Sequence, residues 1–324
     1  MKTIIRAALL TVVATVSLDA QGSARLLVLN KEDATFVVVD PTAGKILATV
    51  AVGQGPHELV VSTDGKYAFA ANYGSGPAPG STISMIDIAA AREVRRIDVS
   101  PLRRPHGLWF TGGKLYFSAE ADKKIARYDP ATDKIDWQFE TGQNATHMVM
   151  LSKDAKTILT SNIASGTVSV IQSGADGNWV QTVVTVGRGP EGIDIAPDGK
   201  TVWSAHSQDG GVSVIDLASK KVVHTIDVGT KRSNRIKLTA DGKFALISDL
   251  DAGELVVLDT ATRTVARRVP LGKMPEGILI PPGGGIAYVA VNGDNYIAAI
   301  DLKTWAVTKK IQTGTGPDGM AWKP

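Results

Sequence analysis

Four of the five histidines in this 324-residue chain, His57, His106, His147 and His206, occupy recurring places in a repeated pattern. The first three each follow a proline or its counterpart, in GPHELVV (55–61), RPHGLWF (104–110) and ATHMVML (145–151), and His206 closes TVWSAH (201–206). Imidazole titrates near neutrality, with an ordinary pKa of about 6.5, and so suits proton transfer. Neutral imidazoles converging beside a carboxylate are also what a borderline divalent ion prefers. The chemistry on offer is therefore a transition-metal site, holding zinc, copper, iron or manganese, or metal-free acid–base catalysis. His224 falls in an outer strand and reads as a solvated surface residue.

The elements that must position these residues come from a unit restated roughly every 45 residues. Its type stretch is GQGPHELVVSTDGKYAFAANY (53–73), which reads as loop, strand, tight turn, strand. Two further strands complete each unit. Full units begin at ELVVS (58–62), RPHGLWF, ATHMVML, GPEGIDI (189–195), SNRIKL (233–238) and MPEGILI (274–280). The mature chain opens on three strands, RLLVLN (25–30), FVVVD (36–40) and KILATV (45–50), and ends on a lone first strand in GPDGMAWKP (316–324). These ends are complementary parts of a seventh unit. The pattern predicts an all-β, seven-bladed β-propeller over 25–324, with four antiparallel strands per blade and one blade closed by N- and C-terminal strands. A linear solenoid would need polar capping repeats instead.

In such a ring, two sets of equivalent positions face one end of the central channel. The inner set reads His57, His106, His147, Glu191, Asn234, Glu276 and Asp318. The second, at the end of each second strand, reads Asn30, Asn72, Glu120, Asn162, His206, Asp249 and Asn292. Asn and Asp in the second set are explained by turn chemistry, since their side chains satisfy backbone groups where a strand becomes a loop. Three consecutive imidazoles in the inner set are not, because a structural requirement would impose one residue on all seven blades. His57, His106 and His147 are the expected metal ligands, completed by His206 or Glu191. His106, His147 and Glu191 are the expected catalytic groups.

Around them, Arg104 and Arg235 are candidate anchors for a substrate carboxylate or phosphate, or else ion-pair partners of the acids. Glu276 and Asp318 close the ring opposite. Tyr73 opens the loop YGSGPAPGST (73–82), a candidate lid beside His57 and His106. Trp109 is a candidate substrate platform or a core residue. Asp194 and Lys237 are expected to pair across adjacent blades.

Composition narrows the function classes. No cysteine excludes disulfides, thiolate nucleophiles and zinc–thiolate sites. A formal charge of +3 argues against nucleic acid as a partner. Residues 1–24, with Lys2 and Arg6 before an apolar run and small residues near Ala20 and Ala24, resemble a secretory signal peptide, which predicts a periplasmic or secreted protein without membrane insertion after cleavage. Phosphate-loop, nucleophile-elbow and zinc-helix motifs are missing.

YAFAAN (67–72), AYVAVN (287–292), VIDLASKKVV (214–223) and VGRGPEGIDIAPDGKTV (186–202) resemble the YVTN or YncE-like propeller repeat, which implies the fold over nearly the whole mature chain. RPHGLWF is similar to the Pro-His-Gly loop of streptogramin lyases, propellers that perform a metal-assisted elimination, and the likeness rests on His106. Glu120, Asn162 and Asp249 resemble in type the calcium ligands of propeller lactonases. The functional expectation is a metal-dependent lyase, or a lactone or ester hydrolase, acting on a small organic molecule. The alternatives are a scaffold that binds a ligand or partner protein, and a histidine-ligated copper or iron redox protein.

Overall fold

The computed structural model describes residues 24–324, so the leader expected at 1–24 lies outside the described residues but for Ala24. Among the described residues, strands β1 to β28 form seven four-stranded antiparallel sheets. Blade 1 comprises β4 (Pro56–Val61), β5 (Tyr67–Gly74), β6 (Pro79–Asp87) and β7 (Arg92–Asp98). Blades 2 to 6 start on β8 (Pro105–Thr111), β12 (Thr146–Leu151), β16 (Pro190–Ile195), β20 (Ser233–Leu238) and β24 (Pro275–Leu279). Blade 7 joins the ends: β28 (Pro317–Lys323) lies beside β1 (Arg25–Asn30), pairing Leu27 with Ala321 and Leu26 with Trp322. Each first strand touches the first strands of both neighbouring blades, β28 meeting β4, and the ring is closed.

Local chemistry explains the strands. In the recurring Asp-Gly-Lys turn, Asp64 Oδ1 accepts from the Ser62 hydroxyl at 2.5 Å and from the Lys66 N–H at 3.1 Å. Gly65 supplies the positive φ of +68°. The same turn recurs at Asp241, and at Asp154 with Ala155 in the glycine's place. Middle strands such as β1 and β9 (Lys114–Ala119) are buried on both faces, whereas the outermost β11 (Lys134–Glu140) alternates buried side and water side.

The core lies between blades. Phe69 and Ile83 of blade 1 pack with Leu108, Leu115 and Phe117 of blade 2, each such side chain contributing about 1.5–3 kcal/mol by burial. Trp109 belongs here as well: it packs into the cores between blades 2, 3 and 4, away from the channel mouth, which corrects its reading as a substrate platform. The expected Asp194–Lys237 pair forms at 3.0 Å.

Candidate functional site

Each first strand brings the residue after its leading Pro, Thr or Ser to the mouth of the channel. Small residues set this convergence. A Cβ on Gly107 would sit 2.5 Å from the Val149 backbone nitrogen, and one on Gly319 would sit 2.2 Å from the His57 carbonyl oxygen. The inner strands therefore approach backbone to backbone. Ser118 fixes their offset by donating to the His147 carbonyl while accepting from the Gly107 N–H, and Ser161 donates to the Glu191 carbonyl at 2.8 Å.

The result is a cavity of about 590 Å³ with two unlike walls. On blades 1 to 3 the wall is aromatic. His106 packs against His147 with ring centres 3.7 Å apart and planes tilted by 34°, His57 stands 5.3 Å from His106, and Tyr73 stands 4.5 Å from His57. Glu120 organises this wall. It accepts from the Tyr73 hydroxyl at 2.6 Å and from His147 Nδ1–H at 2.7 Å. Burial acts to raise the Glu120 pKa, but the bonds from His147 and Tyr73 outweigh it and hold the carboxyl below its usual range. An Nδ1 that donates to Glu120 makes Nε2 the acceptor nitrogen of the ring, and Nε2 is a buried atom without a partner.

Burial, reinforced by the nearby Lys31 charge, lowers His57 to about 4. Burial and the neighbouring imidazoles push His106 well below its ordinary range. His57 is thus neutral at physiological pH, its Nδ1–H given to the Gly55 carbonyl at 2.7 Å. Burial, with Glu120 alongside, raises the Tyr73 phenol to about 12, so it remains a donor.

On blades 6 and 7 the wall is ionic. Lys31 Nζ donates to Glu276 Oε2 at 2.9 Å and lies 3.5 Å from Asp318. Burial works against the Lys31 charge, but Asp318 and Glu276 hold its ammonium above the ordinary lysine range. Burial next to Asp318 pushes Glu276 up to about 8, whereas Asp318, despite burial, is held low by Lys31 and Arg235.

Arg235 forms the floor. Its guanidinium crosses the axis to Glu58, pairing blade 5 with blade 1, and also meets Asn234 Oδ1 at 3.2 Å and Glu191 at 4.0 Å. Asn234 in turn donates to Glu191 at 2.7 Å. Arg235 is therefore satisfied internally, which favours its reading as an ion-pair partner over a substrate anchor. Arg104 stacks on Tyr73 at 4.6 Å and donates to the Ser75 and Gly76 carbonyls, so it secures the 73–82 segment. That segment is an extended hairpin turning at 75–78, in place of the long loop expected.

The second ring is mostly a set of clamps. Asn72 accepts from Gly53 N–H at 3.0 Å and donates to Thr82 and Ser84; Asp249 accepts from the Lys231 N–H, Asn162 accepts from the Thr146 hydroxyl, and Asn30 donates to the Thr313 carbonyl. His206 belongs with them. Its Nδ1 meets Asp209 at 3.0 Å, it does not line the cavity, and the structure separates it from the three histidines it was expected to join.

Two positions depart from the expected alignment. The residues paired with the leading prolines of β8 and β24 are Ala119 and Val291, where other blades place the clamp. Glu120 and Asn292 thus stand one residue further on, level with Lys31 and Tyr73. The calcium-type grouping of Glu120, Asn162 and Asp249 dissolves accordingly. The sequence reading missed Lys31 and Glu58. Glu58 carried a signal, a charged residue at a position that is glycine in four of the seven units (107, 192, 277 and 319).

The histidines fit a single metal ion poorly. Imidazoles bound to one tetrahedral ion, with metal–nitrogen distances of about 2.0–2.1 Å, place their ring centres roughly 5 Å apart. His57 and His106 meet this spacing; His106 and His147, with centres only 3.7 Å apart, do not. Among the described residues, no group of three or more His, Asp or Glu converges as a metal-holding set.

With this geometry in view, YncE of Salmonella typhimurium is 28% identical over 145 residues, which are 43% of this chain and 40% of that protein. The chain is YncE-like. Hydrazine synthase subunit beta of Kuenenia stuttgartiensis is 23% identical over 150 residues, 38% of this chain and 39% of that one. The matches thus span about two fifths of the length of these relatives. Residues 191–300 match the cytochrome D1 heme domain family; this segment brings no imidazole to the cavity, so it offers no axial ligand there. Hydrazine synthase of K. stuttgartiensis superposes with a TM-score of 0.75 at 20% identity, covering 87% of this chain and 93% of that one. A candidate 6-phosphogluconolactonase from Bacteroides uniformis gives 0.77 at 17% identity, covering 93% and 100%. At these identities the superpositions establish a shared fold and nothing of function.

Proposed function

We propose that the channel mouth is the acid–base site of a lyase, or of a lactone or ester hydrolase, acting on a small organic molecule, with His147 as the general base. The observation that carries this is the His147–Glu120 pair, Nδ1–H bonded to a carboxylate at 2.7 Å with a buried, unpartnered Nε2 in the cavity wall. A carboxylate behind an imidazole fixes its tautomer and stabilises the imidazolium that forms. His147 Nε2 would take the proton from a carbon next to a carbonyl, or from the water that attacks an ester carbon. Tyr73 holds Glu120 from its other oxygen, and His57 and His106 present neutral faces to the substrate. Glu191, tied to Asn234 and Arg235, serves as support rather than as a proton carrier.

The proposal takes a metal-free form because the His106 and His147 ring centres lie only 3.7 Å apart. Zinc, copper, iron or manganese retained stoichiometrically by protein purified without a histidine tag, and lost in His57→Ala with His106→Ala, would replace it with the metal-assisted form. A periplasmic or secreted setting is supported by the composition of residues 1–24. The functional test is a panel of lactones, esters and eliminable hydroxy compounds followed by acid release or absorbance. Turnover should fall at least about 100-fold in Glu120→Gln. Ligand binding unaffected by alanine at every ring histidine, with no turnover, would instead identify a scaffold.

A further inference from the structure

The ionic wall has no task in the proton abstraction assigned to His147, and its composition is unusual. Two carboxyls, Glu276 on blade 6 and Asp318 on blade 7, lie side by side almost wholly buried, at 4% and 1% exposure. Two such groups resist ionising together, since like charges in a low-dielectric site repel strongly. Only one cation bridges them, Lys31, at 2.9 Å and 3.5 Å. The other groups facing the pair are Arg235, already joined to Glu58, the Asn292 amide at 3.4 Å from Glu276, and the neutral His57 on the Asp318 side. One negative charge is neutralised and the second is left over, which favours a proton held between the two carboxyls.

Ring order places that proton. Blade 3, which carries His147, is separated by three steps from blade 6 and by three from blade 7, the greatest separation a seven-membered ring allows. Both walls line the same cavity.

We propose that Glu276 is the proton donor opposite the His147 base, with Asp318 and Lys31 as its positioning residues. This rests on the reading of His147 given above. In an elimination, the C–H proton passes to His147 Nε2, the freed electron pair forms the double bond, the C–O bond breaks, and the Glu276 proton goes to the leaving oxygen. In ester or lactone hydrolysis, water gives its proton to His147, its oxygen bonds to the carbonyl carbon, and the departing alkoxide takes the proton from Glu276. Either way Glu276 ends as a carboxylate and His147 as an imidazolium, and transfer of one proton through water restores both. Nothing is oxidised or reduced. The raised Glu276 pKa of about 8 fits an acid that is loaded at neutral pH.

Infrared difference spectra of the full chain against Glu276→Gln, from pH 5 to 10, test the donor directly. A protonated carboxyl band should persist at pH 7 and vanish through about pH 8, and Asp318→Asn should move that titration down by at least about one unit. A band already absent at pH 6, or one that Asp318→Asn leaves in place, overturns the proposal. On substrates, Glu276→Gln should slow a lactone or alkyl ester at least about 100-fold but a nitrophenyl ester, whose leaving group needs no proton, less than about 10-fold. Equal slowing of both overturns it. His147→Ala tests the other half separately: full turnover in that variant with the Glu276 titration intact defeats the base and leaves the protonated pair standing.

Discussion

The clamp ring and the inner ring lie within one residue layer of each other, yet they follow opposite rules. At the clamp, Asn30, Asn72, Asn162 and Asp249 do one job in different blades, tying the loop that leads into a blade to the end of its second strand, and His206 does it through Asp209, which accepts from the Arg188 N–H. The inner ring changes chemistry around the circle, three imidazoles on one side and Glu191, Asn234, Glu276 and Asp318 on the other. Repetition marks what every blade needs in order to fold. Divergence at a repeated position marks what the assembled ring does, because no single blade requires it.

The largest effect expected from this contrast is on turnover. Glu120→Gln should lower it by about 10²–10⁴, with folding stability held within about 1 kcal/mol, as measured by kinetics and urea unfolding together. An equal loss of stability would return Glu120 to the clamp class. Next comes the floor: Arg235→Ala should destabilise by about 3–5 kcal/mol, because half-buried Glu58 would lose its partner and its compensating charge. The double change Glu58→Leu, Arg235→Met should recover most of that loss, which a thermal melt would register.

Protonation sharpens the contrast further. His57 is held at about 4 against an ordinary 6.5, so below pH 6.5 the unfolded chain binds more protons than the folded one. Stability is therefore fully present above about 6.5 and is lost as pH falls through about 4, by up to roughly 3 kcal/mol. His57→Gln should flatten that segment of the stability profile. If wild type and variant run parallel between pH 7 and 4, His57 is not desolvated as described.

The clamp predictions are smaller. Asn72→Ala leaves Gly53 N–H with only the longer 3.4 Å bond to the Ser84 hydroxyl and should cost about 1–3 kcal/mol in urea unfolding while turnover is unchanged. Smallest is His206→Asn, a return to the residue used by other blades, which should stay within about 1 kcal/mol and leave turnover unchanged. A drop in turnover in that variant would break the distinction between the rings.

The strands of β1 were legible to the residue, and the closing blade followed from the complementary ends, because alternation and Asp-Gly turns act over a few residues. The inner ring was legible too, through its leading Pro or counterpart. Glu120 and Asn292 were assigned to the wrong layer because a polar residue beside an apolar clamp position imitates a clamp. A finer reading was available. The Asp that accepts from the loop backbone comes two residues after Glu120 and Asn292, at 122 and 294, but three after Asn30 and His206, at 33 and 209. A one-residue slip exchanges the clamp layer for the cavity layer, as register does on any strand.

The sequence by itself determined the repeat, the seven blades and the places where blades disagree, since these depend on local periodicity and turn chemistry. Only the closed ring decided which of the disagreeing side chains meet. Glu58 and Arg235 are 177 residues apart and touch across the axis; Glu120 bridges Tyr73 and His147 from three blades; Lys31 reaches two acids from the far end of the chain. Such contacts leave no periodic trace, because they form between blades brought together by closure, so the pairing of charges and the orientation of each imidazole belong to the tertiary structure.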